Sequence, residues 1–461
     1  MTTVEERDAG IALPGEAAFD AATRVFNLAG PARPAAAVTA RGVDQIRAAI
    51  RHAASEGLTV RVHTTGHGSV AGRPMGDAVL IRTELEGGVD IDARRRVARV
   101  PAGTLWGAVV EAAAAHGLAA RHGSAATVGV VGYLLRGGLS FYGRRFGLAS
   151  NGVRAIELVT ADGELRRVDA SCDPELFWAL RGGGGGLGVV TAVEIDLFPA
   201  FRVVTGAAFW PVAHAGRLMR VWREWTLDAP WEVTTSLRVM NLPPVPGVPP
   251  VLASGTVLCV DGAVLGATEE DVPTARRHAD SLLGPLRSVA EPLLDTWELT
   301  TPSAVLRAHM DPPEPVAFLG DHMLLSEIGE EGAAEFLRAV GQGSGSPLVI
   351  AGLRQLGGAY SAPDPAGGAL GRLDARYSYS GSGVPVDPDV ARSILDHCAR
   401  VRAALAPWDT GRTAPTFVEH FEQPQRHLDP EQVEAVDRVR ARVDPSGLFR
   451  GDIAPNTSAA Y

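Results

Sequence analysis

With 461 residues, 46% of them hydrophobic, the chain reads as an ordinary globular protein of two or three domains, each able to build its own core. The net charge of −10 argues against a nucleic-acid partner, which needs a concentrated basic face to displace counterions, and the complete absence of lysine among 43 basic residues excludes Schiff-base and P-loop lysine chemistry. Cys172, Cys259 and Cys398 are too few and too scattered for a disulfide framework or a zinc-ligand pair, so the thiols are expected reduced and buried, with no metal. The start Met1 to Asp8 lacks a signal-peptide pattern and no later run reaches about 18 apolar residues, which predicts a cytoplasmic chain without a membrane partner.

From about residue 34 to 203, short β-branched runs alternate with helical stretches. A helix is predicted over Val43–Glu56, then a strand over 58–63 that delivers the turn Thr64-Thr65-Gly66-His67-Gly68-Ser69. Further strands are predicted at 79–82, 88–91, 97–100, 156–160 and 188–197, with a helix over 105–116 closed by Gly117 as its C-cap. Around Phe201 to Trp210 the character changes, tryptophan and proline becoming frequent, and a domain boundary is placed near residue 205. Beyond it, strands are predicted at Val233–Met240, 254–260, 323–327, 347–353 and 373–380, and helices at 268–282, 332–340, 387–405 and 430–442. The order predicts an α+β chain whose second sheet carries helices on one side.

Three stretches concentrate glycine in ways that packing alone disfavours. In 60–69, small residues after a strand let successive backbone N–H groups face an anion; a tight surface turn with two incidental histidines reads the same way. His63 and His67 lack the His-Glu-x-x-His helical context of a metal pair. In 123–132, followed by Arg136-Gly137-Gly138 and 144–148, dense glycines indicate backbone that approaches a ligand, and Arg144 and Arg145 are either phosphate partners or a solvated pair. In 173–191 a helix runs into five glycines, Gly182 to Gly186, and then a strand. A dinucleotide fingerprint runs strand, glycines, helix, so the reversed order sets a Rossmann loop aside and indicates a different nucleotide cradle.

Together, 60–69, 127–132, 144–148, 156–163 and 176–191 resemble the FAD-binding domain of the berberine bridge enzyme-like oxidases, within the PCMH-type, vanillyl-alcohol oxidase fold. Residues 356–359 with 372–379 resemble that family's substrate-domain sheet, and Asp444-Pro445, 448–450 and 453–455 its C-terminal signature. The resemblance spans nearly the whole chain. It implies a PCMH-type FAD-binding domain of two α/β subdomains over 1–205, a substrate domain with an antiparallel sheet covered by helices over 206–410, and a segment 411–461 that completes the FAD domain. It also places His67 where the family's histidine is bonded to the methyl carbon of the flavin's benzenoid ring, a link that raises the flavin potential. The family's second anchor, a cysteine, falls on Ala125, which implies FAD held by a single histidyl link. The oxygen-gating position falls on Val128, as in the oxidase type. The remaining FAD contacts implied are His63, Thr64, Thr65, Gly66, Gly68, Ser69, Gly123, Ser124, Thr127, Val128, Gly129, Gly132, Gly138, Asn151, Val153, Gly188 and Val190.

The sequence departs from the family pattern in several places. His63 stands where an arginine is usual, and Thr65, Arg136 and Ser140 replace glycines. The family's Tyr-x-Asn element should fall in 416–421, which has no tyrosine, and its Asn-x-Asn element is shortened to Gly451-Asp452. Candidates for the base that takes the substrate proton are therefore Glu419, His420, Tyr377, Tyr379 and Tyr142, set against the plainer readings of packed tyrosines and a solvated His420 and Glu422. The reaction implied is oxidation of an alcohol, hemiacetal or amine carbon of a small molecule by hydride transfer to flavin N5, with O2 as acceptor. The lysine-free, arginine- and alanine-rich composition points to a high-GC bacterial source and a step in secondary metabolism, by a monomer or homodimer. A flavin-dependent cyclase or oxygenase, and a non-catalytic flavin- or ligand-binding protein, are the alternatives.

Overall fold

The computed structural model describes residues 10–451 and 453. Ala36–Ala40, Ala78–Thr83 and Thr59–His63 form a parallel three-stranded sheet in that spatial order. Helix Val43–Glu56 makes the first crossover, buries Ile46, Ala49, Ile50 and Ala53 on one face at helical spacing, and ends on the left-handed Gly57. A five-stranded antiparallel sheet follows, in the order Asp90–Asp92, Val97–Pro101, Val189–Asp196, Val153–Val159, Leu165–Asp169. Its core gathers Trp106, Val109, Leu134, Leu176, Leu180 and Val190. The chain returns to the first sheet near its described end: Phe449 bridges Val60, and Leu448 and Phe449 pack with Ile46 and Val79.

The third sheet has eight strands, in the order Leu294–Asp295, Arg202–Pro211, Val257–Gly266, Val233–Met240, Ile350–Gln355, Tyr377–Gly383, Leu319–Leu325, with Glu298–Thr300 also pairing to Arg202–Pro211. All its pairings are antiparallel. Helices Ala215–Leu227, Val272–Val289, Gly329–Val340 and Pro388–Leu405 cover one face, where Leu237, Val260, Leu353, Tyr377 and Tyr379 pack with Trp222, Leu282, Phe336 and Val401. Because side chains alternate along a strand, Ser236, Arg238, Asp261, Arg354 and Ser378 are delivered to the other face. The α+β architecture with an antiparallel sheet covered by helices is as expected; several element ends are not. The strand expected at 254–260 is Val257–Gly266, because Asp261 pairs inside the sheet instead of turning the chain. The strand expected at 323–327 is Leu319–Leu325, with Asp321 buried against Arg402. The one expected at 373–380 is Tyr377–Gly383, and the helix expected at 268–282 is Val272–Val289, which continues past Pro285. Cys259 and Cys398 are buried as expected, but Cys172 is exposed. No described helix is long and apolar enough to cross a membrane.

One side chain ties this sheet to the loop before it. Arg144, buried at 3% exposure, donates to the carbonyls of Val233 and Ala229, each at 2.8 Å, and of Leu356. It is a structural clamp, not a phosphate partner or a solvated residue, while Arg145 beside it faces Glu232 at 3.5 Å. Gly143 is required by the same approach, since a Cβ there would sit 1.9 Å from the Tyr360 ring, whose hydroxyl donates to the Ser140 carbonyl at 2.6 Å. Arg144→Met removes three charge-assisted bonds and strands three buried carbonyls. Thermal and urea unfolding are expected to show a loss of at least about 3 kcal/mol.

Candidate active site

Strand Thr59–His63 ends at the lip of a cleft, and the turn beyond it is fastened to the segment before the first strand. Phe26 N–H donates to the Thr65 carbonyl at 2.7 Å, and Ser69 N–H closes on the Gly66 carbonyl at 3.2 Å. Gly66 has φ +70°, and a Cβ there would meet Val25 at 2.6 Å, so no other residue fits. The His67 ring stacks on Phe26 at 3.8 Å and 10°. Its Nδ1 lies 2.8 Å from Thr65 Oγ1 and its Nε2 3.4 Å from Thr127 Oγ1. Burial lowers its pKa to about 4, with the charge of Asp311 opposing. The imidazole is therefore neutral at pH 7 and keeps a nucleophilic nitrogen.

The cleft is lined by His63, Thr64, Gly132, Arg136, Gly184 to Gly188, Val190 and Phe449 to Gly451. Gly182, Gly184, Gly185, Gly186 and Gly188 all have positive φ. A Cβ on Gly186 would press on Gly451 N at 2.7 Å and one on Gly188 on Val159 O at 2.8 Å, so this wall is bare backbone by necessity. Gly129 is as tightly set, with a Cβ there 3.1 Å from Thr64 Cβ. The Asp444 carboxylate accepts from Leu448 and Phe449 N–H at 2.9 and 2.7 Å and so folds the last lining segment into place. A wall of side-chain-free backbone and two lining arginines fit a dinucleotide such as FAD. His63 reaches the Ala22 carbonyl at 2.8 Å, and Thr64 Oγ1 lies 2.8 Å from Thr83 Oγ1.

Some expected contacts lie elsewhere. Asn151 donates to the Gly371 carbonyl at 2.7 Å and Val153 is buried in the core, so neither reaches the cleft lining. Gly123 packs on the Tyr133 ring, and Ser124 follows in the same loop. Val128 packs on the core under that loop, and Gly138, left-handed at φ +73°, donates its N–H to Thr416 Oγ1 at 3.0 Å. Ser69 Oγ donates to the Asn27 carbonyl, and a Cβ on Gly68 would touch the Arg136 guanidinium at 2.3 Å. Ala125 offers no thiol for a second link.

Opposite the His67 turn lies the polar face of the eight-stranded sheet. Arg238 and Asp261 form a buried ion pair, Asp261 Oδ2 lies 2.9 Å from His309 Nδ1, and Arg238 also donates to the His309 carbonyl at 2.9 Å. Burial pushes the Asp261 carboxyl up, but Arg238 and His309 pull it down to about 2. The charge of Asp311, two residues on, acts on His67, Arg238 and His309 alike, which sets these groups around one region. The Arg354 guanidinium lies 4.4 Å from the Phe141 ring centre and 6.0 Å from that of Phe417. His322 stacks on Phe417 at 5.4 Å and meets Ser378 Oγ at 2.9 Å. None of these sheet residues was singled out from sequence. The polar positions 234, 236 and 238 alternating with Leu237 and Val239 carried the only signal.

Of the five base candidates, one lies beside the cleft. Thr416 Oγ1 donates to the Arg136 carbonyl at 2.9 Å, which brings the following residues against the glycine loop. Burial pushes the Glu419 carboxyl up to about 7, against the pull of Arg136 and with a further push from Asp321. His420 faces Glu422 at 3.4 Å. Tyr142 is buried between His122 and Phe198, and burial drives its pKa up. Tyr377 and Tyr379 point into the helix-covered core, where Tyr377 OH lies 2.8 Å from Thr226 Oγ1 and Tyr379 packs on Phe336. Both are separated from the cleft by their own sheet.

Comparison with known proteins agrees with this geometry. Residues 34–169 match the FAD binding domain family. (R)-6-hydroxynicotine oxidase of Paenarthrobacter nicotinovorans is 32% identical over 198 residues, 43% of this chain and 43% of that protein. The curated relatives are matched over less than half of their own length. Among solved structures, Physcomitrella patens BBE-like 1 aligns over 99% of this chain and 100% of its own at a TM-score of 0.81 and 19% identity. A glucooligosaccharide oxidase of Acremonium strictum described with a 6-S-cysteinyl, 8α-N1-histidyl FAD aligns over 98% of this chain and 97% of its own at 0.79 and 18%. The chain therefore carries an FAD binding domain. Its overall fold is that of the berberine bridge enzyme-like flavoproteins.

His63, His67, His122 and His427 are lowered by burial to about 4 and His322 to about 3. Below pH 6.5 the unfolded chain takes up protons that these folded sites refuse, so stability falls as pH drops from 6.5 to 4. Glu419, whose folded pKa lies above its unfolded one, acts in the opposite sense between 4.5 and 7, but it is one group against five. Melting temperature is expected to decline over this window. His427→Gln should flatten the dependence by one proton, about 1.4 kcal/mol per pH unit in urea titrations.

Proposed function

We propose that the chain is an FAD-linked oxidase that takes two electrons and a proton from an alcohol, hemiacetal or amine carbon of a small molecule and passes the electrons to O2. The observation that carries this reading is the His67 imidazole, held between the Thr65 and Thr127 hydroxyls in the turn that follows the His63 and Thr64 lip of a glycine-walled cleft. Bound FAD supplies the electron acceptor that no side chain here can provide. The glycine wall and the two lining arginines would hold its phosphates, and His67 would carry a single covalent link. Residues 206–410 would supply the substrate wall, and the segment from 411 onward would complete the cofactor side.

Glu419 would take the substrate proton. A carboxyl raised to about 7 is half ionised near neutrality, which gives a base both available and strong enough to accept a proton. Arg136 keeps its anion from being lost altogether. The small Val128 would leave room for O2.

Two tests follow. Peptide mass analysis under denaturing conditions is expected to find the FAD mass on the His67 peptide and to lose it in His67→Ala; colour released entirely into an acid supernatant would refute the link. With O2 consumption and H2O2 as the readout, the rate should rise with pH through about 7 as Glu419 loses its proton. Glu419→Gln should lower kcat by about 100-fold or more and abolish that limb. A variant that keeps both sinks Glu419 as the base.

A further inference from the structure

Arg354 is 7% exposed, yet no carboxylate among the described residues forms an ion pair with it. Arginine presents five N–H donors in a planar fork. Among the described residues only its Nε makes a hydrogen bond, to the neutral Ser236 hydroxyl at 3.3 Å. Other deeply buried arginines meet backbone carbonyls or a carboxylate. Arg144 takes three carbonyls, Arg181 takes those of Phe177, Ala366 and Gly367, Arg223 pairs with Glu327 at 2.7 Å, and Arg238 pairs with Asp261. The Asp261 carboxylate also acts on Arg354, but both of its contacts, made through Oδ2, go to Arg238 and His309.

The guanidinium lies 4.4 Å from the ring centre of Phe141 and 6.0 Å from that of Phe417, and both rings belong to segments that face the sheet from the cofactor side. Aromatic faces steady a cation without using its outer N–H groups. A buried cation with an idle fork between two aromatic rings matches a flat apolar acid, because carboxylate oxygens accept the two parallel N–H bonds that the rings cannot.

We propose that Arg354 anchors a carboxylate of the substrate, with Phe141 and Phe417 against its apolar part, so that the substrate class is a small aromatic or apolar acid. This rests on the oxidase reading only in placing the substrate between the His67 turn and this sheet face.

The test is binding to the purified full chain, read by calorimetry without turnover, with benzoate, phenylacetate and 3-phenylpropionate set against their primary amides. At least one acid is expected to bind 30-fold or more tightly than its amide, and Arg354→Gln to abolish that preference while leaving amide binding unchanged. Arg354→Lys keeps the charge but not the fork and should lose about tenfold, which covers the case that the glutamine variant does not fold. Acids and amides that bind alike, no acid that binds, or acid affinity unchanged in the lysine variant overturns the proposal. A chain that prefers acids but holds no flavin and consumes no O2 refutes the oxidase reading alone; a yellow, O2-consuming chain indifferent to the carboxylate refutes this one alone.

Discussion

The guanidinium of Arg144, sunk among the carbonyls of Ala229, Val233 and Leu356, holds the glycine loop against the eight-stranded sheet. Everything that faces across the site depends on that approach. The loop brings Gly138 to Thr416 and Phe141 to Arg354 and His309, while the same sheet turns its polar side toward the His67 turn. A single cation serves several backbone acceptors because each carbonyl contributes only a partial charge, so the clamp costs no buried anion. The close fit of Gly143 on Tyr360 makes the contact steric as well as polar.

The residues that were legible in the sequence are those whose chemistry is local. The turn at 64–69 declares itself by glycine after a strand, and Gly66 does take the left-handed conformation. The run Gly182 to Gly186 reads as a cradle because no packing element tolerates so many glycines, and it does line the cleft. Helix Val43–Glu56 follows from its apolar spacing and its glycine stop. Where the reading depended on partners far along the chain, it fell short. Strand ends were misplaced at Asp261 and Asp321 because a charge inside a strand is tolerable only with its arginine, 23 residues earlier in one case and 81 later in the other. The tyrosines at 377 and 379 share one face of their strand, and nothing local tells which face the helices cover.

The absence of lysine also takes on a structural meaning. Guanidinium cannot lose its proton on burial and spreads its donors over a plane, so it can sit where an ammonium would shed its charge. Arg144, Arg181, Arg223 and Arg238 each use that property at a different seam of the fold. The histidines supply the contrasting behaviour. Buried without acids of their own, most stay uncharged and act as neutral hydrogen-bonding rings, which is the state that a nitrogen nucleophile at His67 requires.

The bridge between Val60 and Phe449 joins one of the earliest strands to almost the last described residues. During synthesis, the glycine-walled slot lacks one side until the ribosome has released that late stretch, although most of its other lining was made several hundred residues before. Cofactor capture is thus postponed until this stretch has been made, and a nascent chain stalled short of this point would expose a half-built groove to the cell's quality-control machinery.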